Sequence, residues 1–247
     1  MSQAKISRIE TGKILPSVID VEQIVAALAV PDDAAEKLVA LARVANVGYT
    51  SWRSSARIGL WRGQLEIKAL HESSRVVRQF LPAIPSGLLQ VPDYARQVLT
   101  PTVRGRPERD VDKMLEARLS WQRVLEETGR RFEFVLTEQA IRWRRASLPV
   151  MVGQSANLAV LSERKNIEIS VIPQSSEILA SPLNLFVIYD ERLVTVKLFS
   201  GTVALRDPRD IGYHLELFEF FRSHALKGEE ATGLLCSIAE EFKRETE

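Results

Sequence analysis

Gln3, Lys5, Ser7 and Arg8 share one short amphipathic segment near the start of the chain, and their chemistry is that of nucleic-acid contact. A glutamine at a helix start can pair with a base edge, while lysine, serine and arginine reach phosphates or guanine. Ser2 is placed to cap such a helix, and Gly12 to end it just past its last turn. Ile6 and Ile9, three apart, share a face for packing, with Gln3, Ala4, Lys5, Ser7 and Arg8 on or around the opposite face. The same spacing also describes an ordinary capped amphipathic helix, so residues 2–13 alone leave both readings open.

Residues able to carry catalysis do not gather in the sequence. His71, His214 and His224 fall in predicted helices with no Cys or His at metal-ligand spacing, so a zinc site is not expected. His71-Glu72 starts like a metalloprotease helix, but no histidine follows at the required position. A glycine-rich phosphate loop and a Gly-x-Ser-x-Gly elbow are both missing. Glu138, Tyr189 and Asp190 sit near predicted strand ends, where sites tend to gather. For Glu138, though, a first-turn helix carboxylate after Thr137 accounts for the residue, and turn chemistry accounts for Tyr189-Asp190. The expectation is therefore a non-enzyme with no catalytic residue, no metal and no cofactor. A nucleotide-processing or transferase activity is the alternative. Cys236, beside Leu234, Leu235 and Ile238, reads as a buried small hydrophobe.

A second chemical feature is Gly87-Leu88-Leu89-Gln90, bounded by prolines. Leu88, Leu89, Gln90 and the nearby Tyr94 can wall a pocket or partner groove with Gln90 as its polar contact. Equally, they can form a crossover whose leucines plug the core.

These groups need a scaffold, and composition bounds it. The 247 residues are 45% hydrophobic and 26% charged, as in a globular protein with a sizeable core. No run is apolar enough to span a membrane, no signal peptide is seen, and one cysteine suits a reducing cytoplasm. The formal net charge of +1 hides an asymmetry: residues 51–107 carry nine Lys/Arg against three Asp/Glu. That excess either extends a phosphate footprint or forms a solvated face paired with the acidic remainder.

Periodicity divides the chain into three stretches. Residues 1–46 read as all-helical, with Pro16-Ser17 opening a second helix and Pro31-Asp32-Asp33 a third. Ile19, Val21, Ile24, Val25 and Leu28 supply the core face of the second, and Leu38, Leu41 and Val44 that of the third. Residues 47–57, with their Gly and Ser, read as a linker whose Tyr49 and Trp52 dock on a neighbouring surface. From 58 to 247, helices near 58–71, 92–99, 108–127, 150–163, 208–225 and 229–245 alternate with strands near 75–80, 132–136, 167–172, 185–189 and 194–198. Val203 to Leu205 adds a short edge. The late strands run consecutively, which favours an α+β domain of four or five strands with packed helices over a strictly alternating α/β one.

Ser2-Gln3-x-x-Ile6-Ser7-Arg8-Ile9-Glu10-x-Gly12-Lys13, followed by Pro16, resembles the third helix of the phage-repressor (XRE) type of helix-turn-helix. In that family two helices precede it, so residues 1–46 are expected to be a truncated helix-turn-helix, from a misplaced start or from lost DNA binding. A wider set of residues resembles the C-terminal domain of unknown function of actinobacterial, antitoxin-like XRE regulators. It comprises Ile84 to Arg96, Arg118-Leu-Ser-Trp-Gln122, Val135-Leu-Thr-Glu138, Gln154 with Leu158, Asn166 to Pro173, and a closing helical pair. The two resemblances imply a cytoplasmic transcriptional regulator that reads double-stranded DNA as a homodimer through Gln3, Ala4, Lys5, Ser7, Arg8 and Lys13. They also imply a small partner protein encoded nearby, of the toxin–antitoxin kind, and a C-terminal domain binding that partner, an effector or a second copy. The alternative is a partner-binding remnant that no longer binds DNA.

Overall fold

A computed structural model of the chain describes residues 1–53, 60–103 and 110–247. Three helices come first: α1 (Gln3–Glu10), α2 (Val18–Ala27) and α3 (Asp32–Asn46). Strand β1 (Val47–Ser51) follows, then α4 (Leu60–Glu72), β2 (Val76–Leu81), α5 (Pro92–Leu99), α6 (Val111–Gln122), β3 (Arg131–Thr137), α7 (Glu138–Arg142), α8 (Leu148–Ser162) and β4 (Ile167–Ile172). The chain continues through β5 (Phe186–Tyr189), β6 (Leu193–Lys197), β7 (Gly201–Leu205), α9 (Pro208–Ser223) and α10 (Gly228–Arg244).

The fold is α+β, built on one seven-stranded mixed sheet in the order β1-β7-β6-β5-β2-β3-β4. β2, β3 and β4 are parallel, because helical crossovers return the chain to the same edge each time. β5, β6 and β7 run antiparallel as consecutive hairpins, the second half of the pattern that the late strands announce.

Period-2 alternation then sorts side chains to two faces. Phe132, Phe134 and Leu136 of β3 join Val77, Ile169, Val187 and Tyr189 under a cover of α4, α5, α6, α8 and α10. Val135, Phe80, Ile188 and Val194 point the other way, against Ile211, Phe218 and Phe221 of α9. A charged ladder accompanies this second face: Arg78 Nε meets Glu133 at 2.9 Å, Arg131 Nε meets it at 2.7 Å, and Arg222 reaches Glu168 at 2.8 Å. Glu133 is buried, and two guanidiniums compensate its charge.

The sheet has seven strands rather than four or five, largely because residues 47–51, read as a linker, pair with β7 along their whole length. Gly48 and Ser51 signal a loop by composition, but the open edge of β7 recruits their backbone. Gly201 makes the pairing possible, since a Cβ there would lie 2.2 Å from the Thr50 carbonyl. β7 is thereby an interior strand and β1 the edge. Tyr49 donates its hydroxyl to Ser200 O at 3.1 Å, so it docks while staying exposed. Trp52 docks as well, its backbone N–H donating to Ser200 O at 3.0 Å and its indole N–H to Leu198 O at 3.4 Å. Residues 54–57 of that linker, Arg57 among them, the starts of the helices placed near residues 58 and 108, and Arg104 and Arg106 lie outside the described residues.

The N-terminal helices attach through polar bonds. Asn46 Nδ2 donates to Pro16 O and Ala42 O, both at 2.9 Å, and Arg206 N–H to Asn46 O at 3.0 Å. The face of α3 turned inward carries Ala42 and Asn46, whereas the stripe of Leu38, Leu41 and Val44 is exposed, as is Leu28 of α2. Cys236 is exposed as well. On α10 the buried set is Ala231, Leu235, Ile238, Ala239 and Phe242, and Cys236 is turned about 100° away from Leu235.

Candidate functional site

The sequence points to two places, and the structure keeps them apart. The first is α1. Ser2 Oγ accepts from Lys5 N at 3.3 Å, and Gly12, at φ 67°, closes the C-terminal end with its N–H on Ile9 O. No residue of α1 is buried, and Gln3, Ala4, Ser7, Arg8 and Lys13 all present themselves to solvent. Lys5 is different. Its ammonium lies 2.6 Å from Asp20 Oδ1, a carboxylate that also accepts from Ser17 N at 3.0 Å and Ser17 Oγ at 2.9 Å. Burial works against that carboxylate's charge, yet Lys5 and Ser17 hold its pKa below the ordinary value. Lys5 therefore fastens α1 to α2, and the outward polar set is Gln3, Ser7, Arg8 and Lys13.

The second place is the loop that carries Gly87-Leu88-Leu89-Gln90. Ser86 caps a single 3-10 turn over residues 87–89, and Leu88 and Leu89 drop into the core, 2% and 0% exposed. Three polar side chains hold the loop's backbone. Gln122 Nε2 donates to Gly87 O and Gln90 O at 2.7 and 2.8 Å, Gln154 Nε2 to Leu89 O at 2.8 Å, and Asn157 Nδ2 to the same oxygen at 3.0 Å. Gln154 Oε1 also accepts from Val91 N at 2.9 Å. Gly87 lets the loop lie against α6, since a Cβ there would come within 3.1 Å of the Trp121 ring.

Behind the loop, between the sheet and α4 and α6, lies a cavity of about 190 Å³. Its apolar wall includes Ile67, Leu81, Ile84, Val98, Leu185 and Val187, and its polar wall His71, Gln79, Gln90, Arg118, Tyr189 and Lys197. Gln90 bridges the loop to this wall, donating to Pro85 O at 2.8 Å and accepting from Arg118 Nη1 at 2.7 Å. His71 stacks on Trp121, whose indole N–H donates to Gln64 Oε1 at 3.1 Å. Burial pushes the His71 imidazole down to about 3, so it stays neutral. Lys197 Nζ donates to Thr202 Oγ1 at 3.1 Å; burial, aided by repulsion from Arg118, lowers it to about 8. Tyr189 is raised above its ordinary range by burial, against a hydrogen bond with Thr195.

Of the four residues named for a partner or effector, the structure brings Gln90 to the cavity. Leu88, Leu89 and Tyr94 go to the core instead, and burial pushes the Tyr94 hydroxyl up to about 12. His71, Arg118, Tyr189 and Lys197 were not singled out for this role. Tyr189 and Lys197 alternate inward on neighbouring strands, a signal that period-2 counting could have exposed. Glu138 is structural: it follows the Thr137 cap and binds Gln174 N at 2.8 Å and Arg142 Nε at 2.5 Å. Asp190, at φ 51°, accepts from the N–H groups of Arg75 and Val76, both at 2.9 Å, and so closes the hairpin onto β2.

Among the described residues no cluster of His, Cys, Asp and Glu could hold a metal ion, and no helix is long and apolar enough to cross a membrane.

No curated protein matches the chain. Among solved structures it is similar to Nuc from Salmonella typhimurium, a phospholipase D family member, with 12% identity over 74% of this chain and 95% of that one, at a TM-score of 0.41. It is also similar to TrmBL2, an archaeal chromatin protein whose structure shows a novel mode of DNA binding. There the identity is 15% over 84% of this chain and 66% of that one, at a TM-score of 0.38. The first of these corrects the expectation of a non-enzyme, since the similar protein is by its name a member of an enzyme family. At that TM-score the likeness carries no reaction over to this chain. The loop, its three polar braces and the cavity all fall within residues 64–237, which match the family described as a domain of unknown function, DUF5753, and the chain belongs to that family.

Proposed function

We propose that the chain is a DNA-binding transcriptional regulator of the XRE type, antitoxin-like and cytoplasmic, whose DUF5753 domain binds an effector or partner. The carrying observation is α1: a capped helix whose polar face presents Gln3, Ser7 and Arg8, with Lys13 just past its end, while Lys5 braces it from behind. Such a helix offers a base-reading amide and phosphate-reaching cations on one side. Double-stranded DNA is the proposed ligand of that face, read by a homodimer, with a small protein encoded nearby as the regulatory partner.

The test is fluorescence anisotropy of the chain on DNA from its own promoter, titrated with salt and against a scrambled duplex. Specific binding with a steep salt dependence is the expected result. Equal, weak affinity for both duplexes overturns the reading.

The exposed stripe of Leu38, Leu41 and Val44 favours a second reading, a partner-binding regulator without DNA affinity. A folded protein that ignores both duplexes selects it.

A further inference from the structure

We infer that the cavity between β5, β6, α4 and α6 is the binding site of a small organic carboxylate with a flat apolar body. Two cationic side chains, Arg118 and Lys197, line it, and none of the described lining residues is acidic. A concave apolar chamber with a few convergent polar groups is the usual form of a small-molecule site. The sign of those groups selects an anion.

His71 gives the second, independent indication. It is 2% exposed, it lines the cavity, and its Nδ1 has no hydrogen-bond partner among the described residues. Buried polar atoms are almost always paired, so an orphan in a cavity wall is a group that a bound ligand can satisfy. A neutral imidazole can present N–H or a lone pair at that atom, according to its tautomer. Trp121, Leu81 and Val187 offer the apolar surface for a planar body, with the imidazole held between Trp121 and Tyr189. The lowered affinity of Lys197 for its proton agrees, because the ammonium sits desolvated beside Arg118. About 190 Å³ suits a single-ring acid. A polyanionic phosphate fits less well, because most of the wall is apolar.

This inference rests on the effector-binding half of the proposed function and is independent of α1. Isothermal titration and thermal unfolding of the full chain, without DNA, use benzoate, its uncharged counterpart benzamide, and inorganic phosphate. Benzoate is expected to bind saturably and raise the melting midpoint, with benzamide at least about tenfold weaker and phosphate without effect. Lys197→Met is expected to lose benzoate affinity by about tenfold or more, and Lys197→Arg to keep it. His71→Phe, which keeps the ring stack and removes the nitrogens, should weaken benzoate more than benzamide. Equal binding of benzoate and benzamide, or phosphate competing with benzoate, overturns the carboxylate assignment. Binding of neither overturns the site. Because no DNA is present, either failure leaves the promoter titration untouched, and a failed promoter titration leaves this result untouched.

Discussion

His71 and Trp121 stack with ring centroids 5.3 Å apart and planes 10° from parallel, a helix-to-helix contact that forms the floor of the cavity. Tyr189 closes on the same imidazole from the sheet, its ring centroid 5.4 Å away. Packed between two aromatic rings and excluded from water, the imidazole cannot take up a proton without losing solvation that nothing nearby replaces.

That burial makes the fold acid-sensitive in a defined window. The His71 pKa is depressed from 6.5 to about 3, so its neutral form contributes fully above pH 6.5. The contribution is lost as pH falls from 6.5 towards 3, where the unfolded chain binds the extra proton. The expected loss approaches about 1.4 kcal/mol per pH unit inside the window. Urea unfolding of wild type and His71→Phe at pH 7.5 and pH 5 measures it. The variant should lose about 2 kcal/mol less between the two conditions. Equal losses would place the sensitivity elsewhere.

Gln154 answers for the loop that roofs the cavity. It is 1% exposed and is the partner of Val91 N–H, while it shares Leu89 O with Asn157. Gln154→Leu keeps the volume and orphans the Val91 donor, at a cost of about 1–3 kcal/mol. Asn157→Ala, whose acceptor keeps another donor, should cost less. Chemical denaturation of both variants ranks them, and the reverse order would contradict the assigned bonds.

Much of the fold was legible in the sequence because alternation and caps are local. Phe132 to Leu136, Ile167 to Ile172 and the hairpin at Asp190 declare themselves by period-2 patterning and turn residues, and Pro16-Ser17 as a helix opening. Two kinds of feature were not legible. β1 is a strand only because β7 offers it an edge, and a partner about 150 positions away leaves no trace in a Gly- and Ser-containing stretch. The cavity's polar wall draws His71, Gln79, Arg118, Tyr189 and Lys197 from five separate elements, so no local spacing joins them. Gln90 was found because its Gly-Leu-Leu-Gln context is compact, whereas Tyr94 looked functional and is a core residue.

Asp207 joins the N-terminal helices to the sheet domain. Its Oδ1 accepts from Arg209 N at the start of α9, and its Oδ2 from Val18 N at the start of α2, both at 2.9 Å. One buried carboxylate thus serves two positive helix ends. Asp207→Ala is expected to cost about 2 kcal/mol, the upper end for a single cap. It should also speed hydrogen exchange at Val18 along with Arg209. Exchange that quickens at Arg209 alone would mean that the bridge to α2 contributes nothing.

The last prediction separates the brace from the reader on α1. Lys5 and Arg8 are three apart on one helix, yet Lys5 is bound to Asp20 while Arg8 faces solvent. Lys5→Met removes the ammonium that helps hold the Asp20 carboxylate below its ordinary pKa, so that carboxylate's contribution fades at a higher pH as acid is added. The expected outcome is a lower unfolding midpoint at pH 5 and an unchanged salt slope on DNA. Arg8→Ala should do the opposite, leaving the midpoint where it was and reducing the salt slope by about one. If both variants change the salt slope alike, Lys5 leaves Asp20 for the phosphates on binding, and the brace is part of the reading face. If neither does, α1 is not the element that meets DNA.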